Sequence, residues 1–305
     1  MGKVSVQEIK ELMKSTGVGM MDCKKALEEV DGDMEKAVEM LREKGLATQA
    51  KKSSRAAAEG VVAAVVKGNV GVLLEINTET DFAANTDDIR NFVNSVANTI
   101  VEKNPADVEA LKAETISGGT STVGEVLTEL AGMKIRENVV IRRFVRLEGV
   151  LASYIHNGGS IGALVKLDTE LSTEQVSAIG KDVAMQSAAL NAAYLCREQV
   201  PADVIENEKK IIEAQMAEDP KMASKPEQAK VKILEGKINK YYKENCLLEQ
   251  SFVKDDKLSV QGYVDAEAKK LGGSIKVVDV IRYERGEGVE KKEDNLADEV
   301  AKMIK

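Results

Sequence analysis

An internal repeat is the feature that most constrains how this chain folds. The stretch EGVVAAVVKGNVGVLLEINTET begins at Glu59, and the similar stretch EGVLASYIHNGGSIGALVKLDTEL begins at Glu148. Each contains two strand-like apolar runs joined by a turn of Gly and Asn, which is the pattern of a β-hairpin. The repeat therefore predicts two copies of one supersecondary unit.

A helix and a closing strand are predicted after each hairpin. In the first copy an apolar stripe has helical spacing and comprises Ile89, Phe92, Val93, Val96 and Ile100. In the second copy a capping box precedes the apolar positions, the residues being Ser172 and Gln175, then Val176, Ile179 and Val183. Residues 121–146 and 258–285 then each combine a short helix with a β-rich strand.

The predicted body of the protein is therefore α+β. We expect two repeated core units, at residues 59–146 and 147–285, each with a three-stranded sheet faced by helices. Sheets this narrow gain stability when they pack together, so contact between the two units is expected.

Residues 1–50 predict a compact module of three short helices, and residues 51–58 predict a linker. Apolar positions recur at helical spacing in three groups, which are Ile9, Leu12, Met13 and Thr16, then Cys23, Leu27 and Val30, then Met34, Ala37, Val38 and Leu41. Gly45 is a suitable C-terminal end for the third helix. The following stretch ATQAKKSSRAAAEG has no large apolar residue, which is typical of a linker.

The second core unit carries an insert at about 201–248, in which three of the four prolines of the chain lie. Long charged helices are predicted on both sides of the segment DPKMASKP, with apolar positions Ile205, Ile212 and Met216 before it and Val231, Leu234, Ile238 and Tyr241 after it. This pattern predicts an antiparallel helical hairpin with a proline-marked turn. Residues 286–305 predict a C-terminal helical module whose small amphipathic helix carries Leu296, Val300 and Ile304.

The composition favours a protein partner over a nucleic acid or a membrane. The net charge is -8 and the only basic cluster is the short KKSSR at 51–55, whereas nucleic-acid binders usually carry a basic face. No apolar run approaches the length of a membrane span, and the N-terminus lacks the apolar stretch of a secretory signal. The three cysteines are far apart and outside any CxxC pair, which fits a reducing cytoplasm.

Catalytic patterns are weak in this sequence. The chain has one histidine, His156, and no nucleophile-elbow motif, so neither a nucleophilic triad nor a metal site is predicted. The stretch TGVGMMDCKK lacks the ending of a phosphate-binding loop and does not follow a strand. We therefore expect no enzyme activity and no cofactor. His156 lies at the tip of the second hairpin, either as a solvent-exposed residue or as a partner contact.

The stretch NTETDFAANTDD at 77–88 places one of only four phenylalanines among polar residues. The second copy of the repeat has ordinary capping residues here, whereas the first copy has Asp81 and Phe82. Two interpretations remain open at this point. An extended helix would place Phe82 on the core stripe of Ile89, seven residues later. Alternatively, a new N-cap at Thr86 would leave Phe82 exposed to insert into a partner, where burial is worth about 1.5–3 kcal/mol.

Several motifs in the same order resemble the bacterial translation elongation factor Ts family. They are TGVGMMDCKKAL near the N-terminus, NTETDFAAN, the SYIH…IGALV hairpin and the closing RYERGEGVEKKEDNLADEVA. The resemblance covers essentially the whole chain. It implies that the N-terminal module is similar to a ubiquitin-associated (UBA) domain and that the protein is a guanine-nucleotide exchange factor for elongation factor Tu. It implies that the chain binds the GDP-bound and nucleotide-free partner without a cofactor.

The resemblance also implies which residues contact the partner. The TDF loop, defined as Thr80, Asp81, Phe82 and Ala83, would enter the G domain of the partner near the magnesium side of the nucleotide pocket. His156 would lie against the same region. Further contacts implied by the family are Leu12, Val18, Met20 and Met21 in the N-terminal module and Val300 and Ile304 on the last helix.

Two other roles are also compatible with the sequence. The three-helix module and the helical hairpin are also compatible with a non-exchanging UBA-type adaptor or scaffold, which would bind a partner without changing its nucleotide affinity. The helical hairpin could mediate self-association or an additional contact, and the sequence does not decide between these roles.

Overall fold

The structure is a computed structural model that describes residues 4–223 and 225–290. At the N-terminus, helices α1 (Val6–Thr16), α2 (Met20–Glu29) and α3 (Met34–Lys52) pack around a small core. A capping box of Ser5 and Glu8 begins α1, and Gly17, in the left-handed region at φ 67°, ends it. Met133, from the first core unit, completes the core of these helices.

Helix α3 does not end at Gly45 as the sequence predicted. It continues to Lys52, so the irregular connection begins at residue 53 and not at 51. A glycine is needed at position 45 for packing and not to end the helix, because the backbones of Gly45 and Gly132 lie very close together. A Cβ at Gly132 would lie 2.3 Å from the carbonyl oxygen of Gly45. Gly45 therefore serves a close approach between α3 and the first core unit in the middle of the helix.

The first sheet contains β1 (Glu59–Lys67), β2 (Val70–Thr78) and β3 (Val139–Glu148), all antiparallel and in the order β1-β2-β3. Between β2 and β3 lie α4 (Asp81–Ala84), α5 (Asp87–Lys103), α6 (Val108–Ala113), α7 (Val123–Glu129) and a π-helical turn at Leu130–Lys134. The predicted apolar stripe of α5 is buried against this sheet. Helix α6 was not predicted.

The second sheet contains β4 (Val150–His156), β5 (Ile161–Asp168) and β8 (Lys276–Glu284) in the order β4-β5-β8, again antiparallel. Helix α8 (Thr173–Ala189) begins at the predicted capping box, and α12 (Val260–Leu271) precedes β8. A small hairpin of β6 (Ser251–Phe252) and β7 (Asp255–Ser259), which was not predicted, lies before α12.

The two sheets pack against each other through the faces that do not carry the helices. Val62 and Leu73 of the first sheet form one buried cluster with Leu151 and Leu164 of the second. The close approach requires small residues, because a Cβ at Gly162 would lie 2.6 Å from Val62 Cγ1. Contact between the narrow sheets was expected from the sequence, and the structure contains it.

The insert in the second unit contains α9 (Ala202–Glu218), the single turn α10 (Pro220–Ala223) and α11 (Glu227–Asn245). The two long helices pack through a small core that includes Ile212, Met216 and Ile238. Val231 was predicted on this stripe but is exposed, and Tyr242 packs in the cluster. The interface therefore follows a slightly different face of α11 than the sequence spacing indicated.

A buried glutamate joins the first sheet to the end of the second. Glu75 is inaccessible to solvent and accepts hydrogen bonds from Arg142 (2.9 Å), Arg143 (2.6 Å) and the backbone amide of Gly286 (2.8 Å). Burial raises the pKa of the Glu75 carboxyl, but these donors and Asn77 outweigh it and hold the pKa below the ordinary 4.5. Residues 291–305, including the predicted helix with Leu296, Val300 and Ile304, lie outside the described residues.

Candidate functional site

Phe82 lies on α4, a single turn between β2 and the long helix α5. Thr80 is the N-cap of this turn, and its side chain accepts a hydrogen bond of 3.2 Å from the amide of Ala83. A new cap at Thr86 then begins α5, with a hydrogen bond of 3.3 Å from the amide of Ile89. The predicted N-cap at Thr86 is confirmed, so Phe82 does not belong to the helix that carries Ile89.

The phenyl ring of Phe82 points away from the protein. Its side chain is 83% exposed, the largest exposed fraction among the large hydrophobic residues of the described part of the chain. The interpretation in which an extended helix buries Phe82 on the core stripe is therefore wrong. Asp81, beside it, is exposed as well. The end of the turn thus presents an aromatic ring and a carboxylate to solvent.

The opposite side of the turn is buried. Ala83 and Ala84 are almost inaccessible, and α4 packs on β1 and β2. Ala83 was expected to contact a partner together with Phe82, and its burial corrects that expectation. Its small side chain instead fills the space beneath the turn, while Phe82 stands on the outer side.

A residue distant in sequence holds the start of the TDF loop. The carboxylate of Glu137 accepts hydrogen bonds from the amide (3.0 Å) and the hydroxyl (2.8 Å) of Thr80. Beside it, the amide of Asn138 donates to Glu79 at 2.6 Å. Sequence reasoning did not identify Glu137, and no local signal marks it, because it lies 57 residues from Thr80 between a helical turn and a strand.

His156 is exposed at the end of β4, and its Nδ1 lies 3.2 Å from the hydroxyl of Tyr154. The turn Asn157–Gly159 that follows it packs on the first sheet, since a Cβ at Gly159 would lie 2.8 Å from Val61 Cγ1. Val61 is near the start of β1, and that start pairs with the end of β2 just before the TDF loop. His156 and Phe82 therefore lie at the same end of the packed sheets.

The four expected contact residues of the N-terminal module separate into two groups. Met20 and Met21, on the first turn of α2, are 50% and 64% exposed. Leu12 and Val18 are buried in the core of the module. This corrects the expectation, taken from the family resemblance, that all four present side chains to a partner, because the side chains of Leu12 and Val18 belong to the internal packing. Val300 and Ile304 lie outside the described residues.

The N-terminal module and the TDF loop are attached to the same short segment. The guanidinium of Arg136 pairs with Asp22 of α2, and the Arg136 carbonyl accepts from Lys52 at the end of α3. Asp22 also pairs with Lys44 at 2.9 Å, and this bond is the main cause that lowers the pKa of the Asp22 carboxyl. Within the next two residues, Glu137 bonds Thr80 at the start of the TDF loop, and Asn138 bonds Glu79 immediately before the loop.

The exposed side chains of this region form a surface suited to contact with a macromolecule. Among residues 4–223 and 225–290, no group of three or more His, Cys, Asp or Glu residues is placed to hold a metal ion. No helix in the same ranges is long and apolar enough to cross a membrane. What the arrangement offers is an aromatic ring on a hydrogen-bonded turn, with an imidazole and two methionines on other exposed surfaces.

The family model described as Elongation factor TS matches residues 79–287, which begin immediately before Thr80. A curated Elongation factor Ts of Trichlorobacter lovleyi is 49% identical over 307 aligned residues, covering 98% of this chain and 97% of the relative. One of Clostridium kluyveri is 47% identical, with 99% of each chain covered. One of Clostridium perfringens is 46% identical, with 98% of this chain and 99% of the relative covered. The chain therefore belongs to the elongation factor Ts family of translation elongation factors.

Proposed function

We propose that this protein is a guanine-nucleotide exchange factor that binds the GDP-bound form of elongation factor Tu and promotes GDP release. Membership in the elongation factor Ts family supports a role in translation elongation. The single observation that carries the proposal is the exposed ring of Phe82 on a turn whose other side is buried and hydrogen-bonded.

Phe82 is proposed as the group that enters the partner. Removing a phenyl ring from water stabilises a complex by about 1.5–3 kcal/mol. The ring is carried by a capped turn, so less conformational entropy is lost on binding than for a ring on a mobile loop. Thr80 and Asp81 would reach the partner with it, on the magnesium side of the nucleotide pocket. Ala83 would support the turn from within.

Exchange then follows from thermodynamic linkage. A protein that binds the nucleotide-free or magnesium-depleted GTPase more tightly than its GDP form lowers the affinity for GDP by the same factor. Each tenfold loss of GDP affinity requires about 1.4 kcal/mol of differential binding. Displacement of Mg²⁺ contributes because the ion neutralises phosphate charge in the nucleotide site.

Other surfaces are proposed to hold the partner while the loop acts. Met20 and Met21, on the UBA-like module, are exposed and adapt readily to an apolar surface. His156, at the same end of the sheets as Phe82, is proposed to contact the same domain. The protein would act in the cytoplasm without a cofactor, making and breaking no covalent bond.

Release of a fluorescent GDP analogue from elongation factor Tu tests the proposal. We expect Phe82→Ala to slow catalysed release by about tenfold or more, because a loss of about 1.4 kcal/mol in the exchange transition state gives that factor. Circular dichroism should show an unchanged fold, since Phe82 is largely exposed and contributes little to internal packing. Leu190→Ala, which truncates another exposed apolar residue far from the turn, is the matched control.

Two outcomes would contradict the proposal. Unchanged release with Phe82→Ala would exclude the ring as the inserting group. Binding of the parent protein to elongation factor Tu without any acceleration of GDP release would instead support the non-exchanging adaptor.

A further inference from the structure

The hydrogen bonds between residues 79–80 and 137–138 account for how the TDF loop keeps its shape. Each oxygen of the Glu137 carboxylate accepts one bond from Thr80, since the amide bonds Oε2 and the hydroxyl bonds Oε1. The Thr80 hydroxyl thereby directs its proton to Glu137 and its lone pair to the amide of Ala83. The Thr80 carbonyl accepts from the Thr78 hydroxyl at 2.7 Å. The residue that caps the Phe82 turn is fixed at its amide, hydroxyl and carbonyl.

Glu137 is itself held in place by its neighbours. The Asn138 amide donates to Glu79, and the Asn138 side chain donates to the carbonyl of Arg55 at 2.7 Å. On the other side, Arg136 lies in the left-handed region at φ 60° and pairs with Asp22. Glu137 therefore has little freedom to follow the loop if the loop moves, and the loop is the part that yields when the bonds are lost.

We propose that Glu137 is a positioning residue for the TDF loop, which holds Phe82 in its outward orientation by accepting both donors of Thr80. The inference rests on the proposed exchange function for its consequence, because a loosely held ring would lose entropy on entering the partner. Glu137 does not have to touch the partner to act in this way. By keeping the turn rigid, Glu137 reduces the conformational entropy that is lost when the loop enters the partner, so more of the binding free energy is available for exchange.

A partner-independent measurement tests the positioning itself. The chain contains no Trp, so Phe82→Trp introduces a single indole at the tip of the turn, which can be excited selectively beside the six tyrosines. Time-resolved anisotropy of this indole reports its local motion in the isolated protein. We expect a larger amplitude of nanosecond motion when Glu137→Gln is added, because one of the two accepting oxygens is replaced by an NH2 group, which sets a donor against a donor of Thr80. Glu109→Gln is the matched control, since Glu109 is an exposed glutamate that bonds Lys112.

Exchange kinetics with the natural Phe82 test the consequence. Glu137→Gln is expected to lower kcat for GDP release by about tenfold or more, as the loss of one hydrogen bond to a charged group would give. KM should change less, because Met20 and Met21 still bind the partner. Glu137→Asp keeps the carboxylate on a shorter side chain and should lie between the parent and the glutamine variant. Thermal unfolding establishes that each variant folds. If the glutamine variant does not fold, the kcat of the aspartate variant tests the positioning role instead.

The outcomes separate this inference from the proposed function. Unchanged motion of the indole with Glu137→Gln overturns the positioning role. Increased motion with normal exchange overturns it as well, if Phe82→Ala slows exchange in the same assay. If Phe82→Ala leaves exchange unchanged, the proposed function fails, and the indole motion alone decides whether Glu137 positions the turn. Increased motion together with a lower kcat supports both proposals.

Discussion

Single residues at the proposed site differ in what they contribute to folding and to contact. Phe82 and Met21 expose most of their surface, so the protein's own stability depends little on them. Ala83 follows Phe82 in the chain, and Leu12 lies in the same three-helix module as Met21. Both are buried, and their side chains belong to the internal packing. The family resemblance named members of both groups as contacts, but a helix turns the side chains of successive residues toward different surroundings.

Substitution of Leu12 and of Met21 separates the two groups. Leu12→Ala should lower the stability of the three-helix module by about 2–5 kcal/mol, because it leaves a cavity in a small core. Met21→Ala should change stability by less than about 0.5 kcal/mol, as most exposed substitutions do. It should instead raise KM for GDP release. Chemical denaturation and exchange assays on both variants check this, and an unfolding midpoint that shifts more for Met21→Ala would contradict it.

At the scale of elements, the attachment of α3 to the first core unit depends on two glycines facing each other. A Cβ at Gly132 would meet the backbone of Gly45 at 2.3 Å, which a rigid carbonyl cannot relieve. A Cβ at Gly45 would meet the Cγ of Met133 at 3.0 Å, and that flexible side chain can shift. Close by in the chain, Arg136 pairs with Asp22 of α2. Together these two contacts set where the N-terminal module lies relative to the TDF loop.

Gly132→Ala is therefore expected to be more damaging than Gly45→Ala. We expect Gly132→Ala to cost about 1–3 kcal/mol by overpacking and to loosen the module from the body. Trypsin should then cleave faster near Arg55, in the connection after α3. Gly236→Ala, at a helical glycine with open space around it, is the control and should stabilise α11 by about 0.5–1 kcal/mol. Equal trypsin rates for the parent and Gly132→Ala would refute this account.

At the scale of the whole molecule, Glu75 connects parts that are far apart in sequence. Its carboxylate on β2 binds the guanidinium groups of Arg142 and Arg143 on β3 and the amide of Gly286 beyond β8. A buried carboxylate is stable only when its charge is balanced and its oxygens are hydrogen-bonded, and here both conditions are met. This cluster fixes the last described residues against the first sheet.

The pH dependence of unfolding follows from the lowered pKa of Glu75. A carboxyl whose pKa is lower in the folded than in the unfolded protein stabilises the fold fully above its unfolded pKa, near 4.5. That stabilisation is lost as the pH falls below 4.5 and through the folded value. Glu75→Gln should cost about 3–5 kcal/mol at neutral pH, because it leaves two arginines without their buried partner.

Denaturant titrations between pH 7 and the acid range measure both effects. The parent should lose stability more steeply than Glu75→Gln as the pH falls below 4.5, so the difference between the two should shrink. A difference that stays constant with pH would mean that the pKa of Glu75 is the same in the folded and the unfolded protein, which would contradict the lowered folded value. Glu109→Gln, at an exposed glutamate, provides the baseline.

Local patterns in the sequence predicted most of the helices and strands, and they left two positions open for Phe82. Pairs of apolar runs joined by turns of Gly and Asn predicted both hairpins, and the capping residues Thr86 and Ser172 predicted where α5 and α8 begin. These features depend on neighbours within a few residues, so the chain specifies them locally. The polar run after Phe82 likewise favoured a separate turn, although an extended helix remained possible.

Only the tertiary structure shows which contacts between distant residues hold those elements in place. The bonds of Glu137 to Thr80, the approach of Gly132 to Gly45 and the partners of Glu75 join residues far apart in the chain. No local pattern encodes such pairs, because their energy exists only once the chain has folded and excluded water from between them. The tertiary structure likewise decided that Leu12 and Ala83, which the family resemblance placed at the partner surface, are buried in the folded protein.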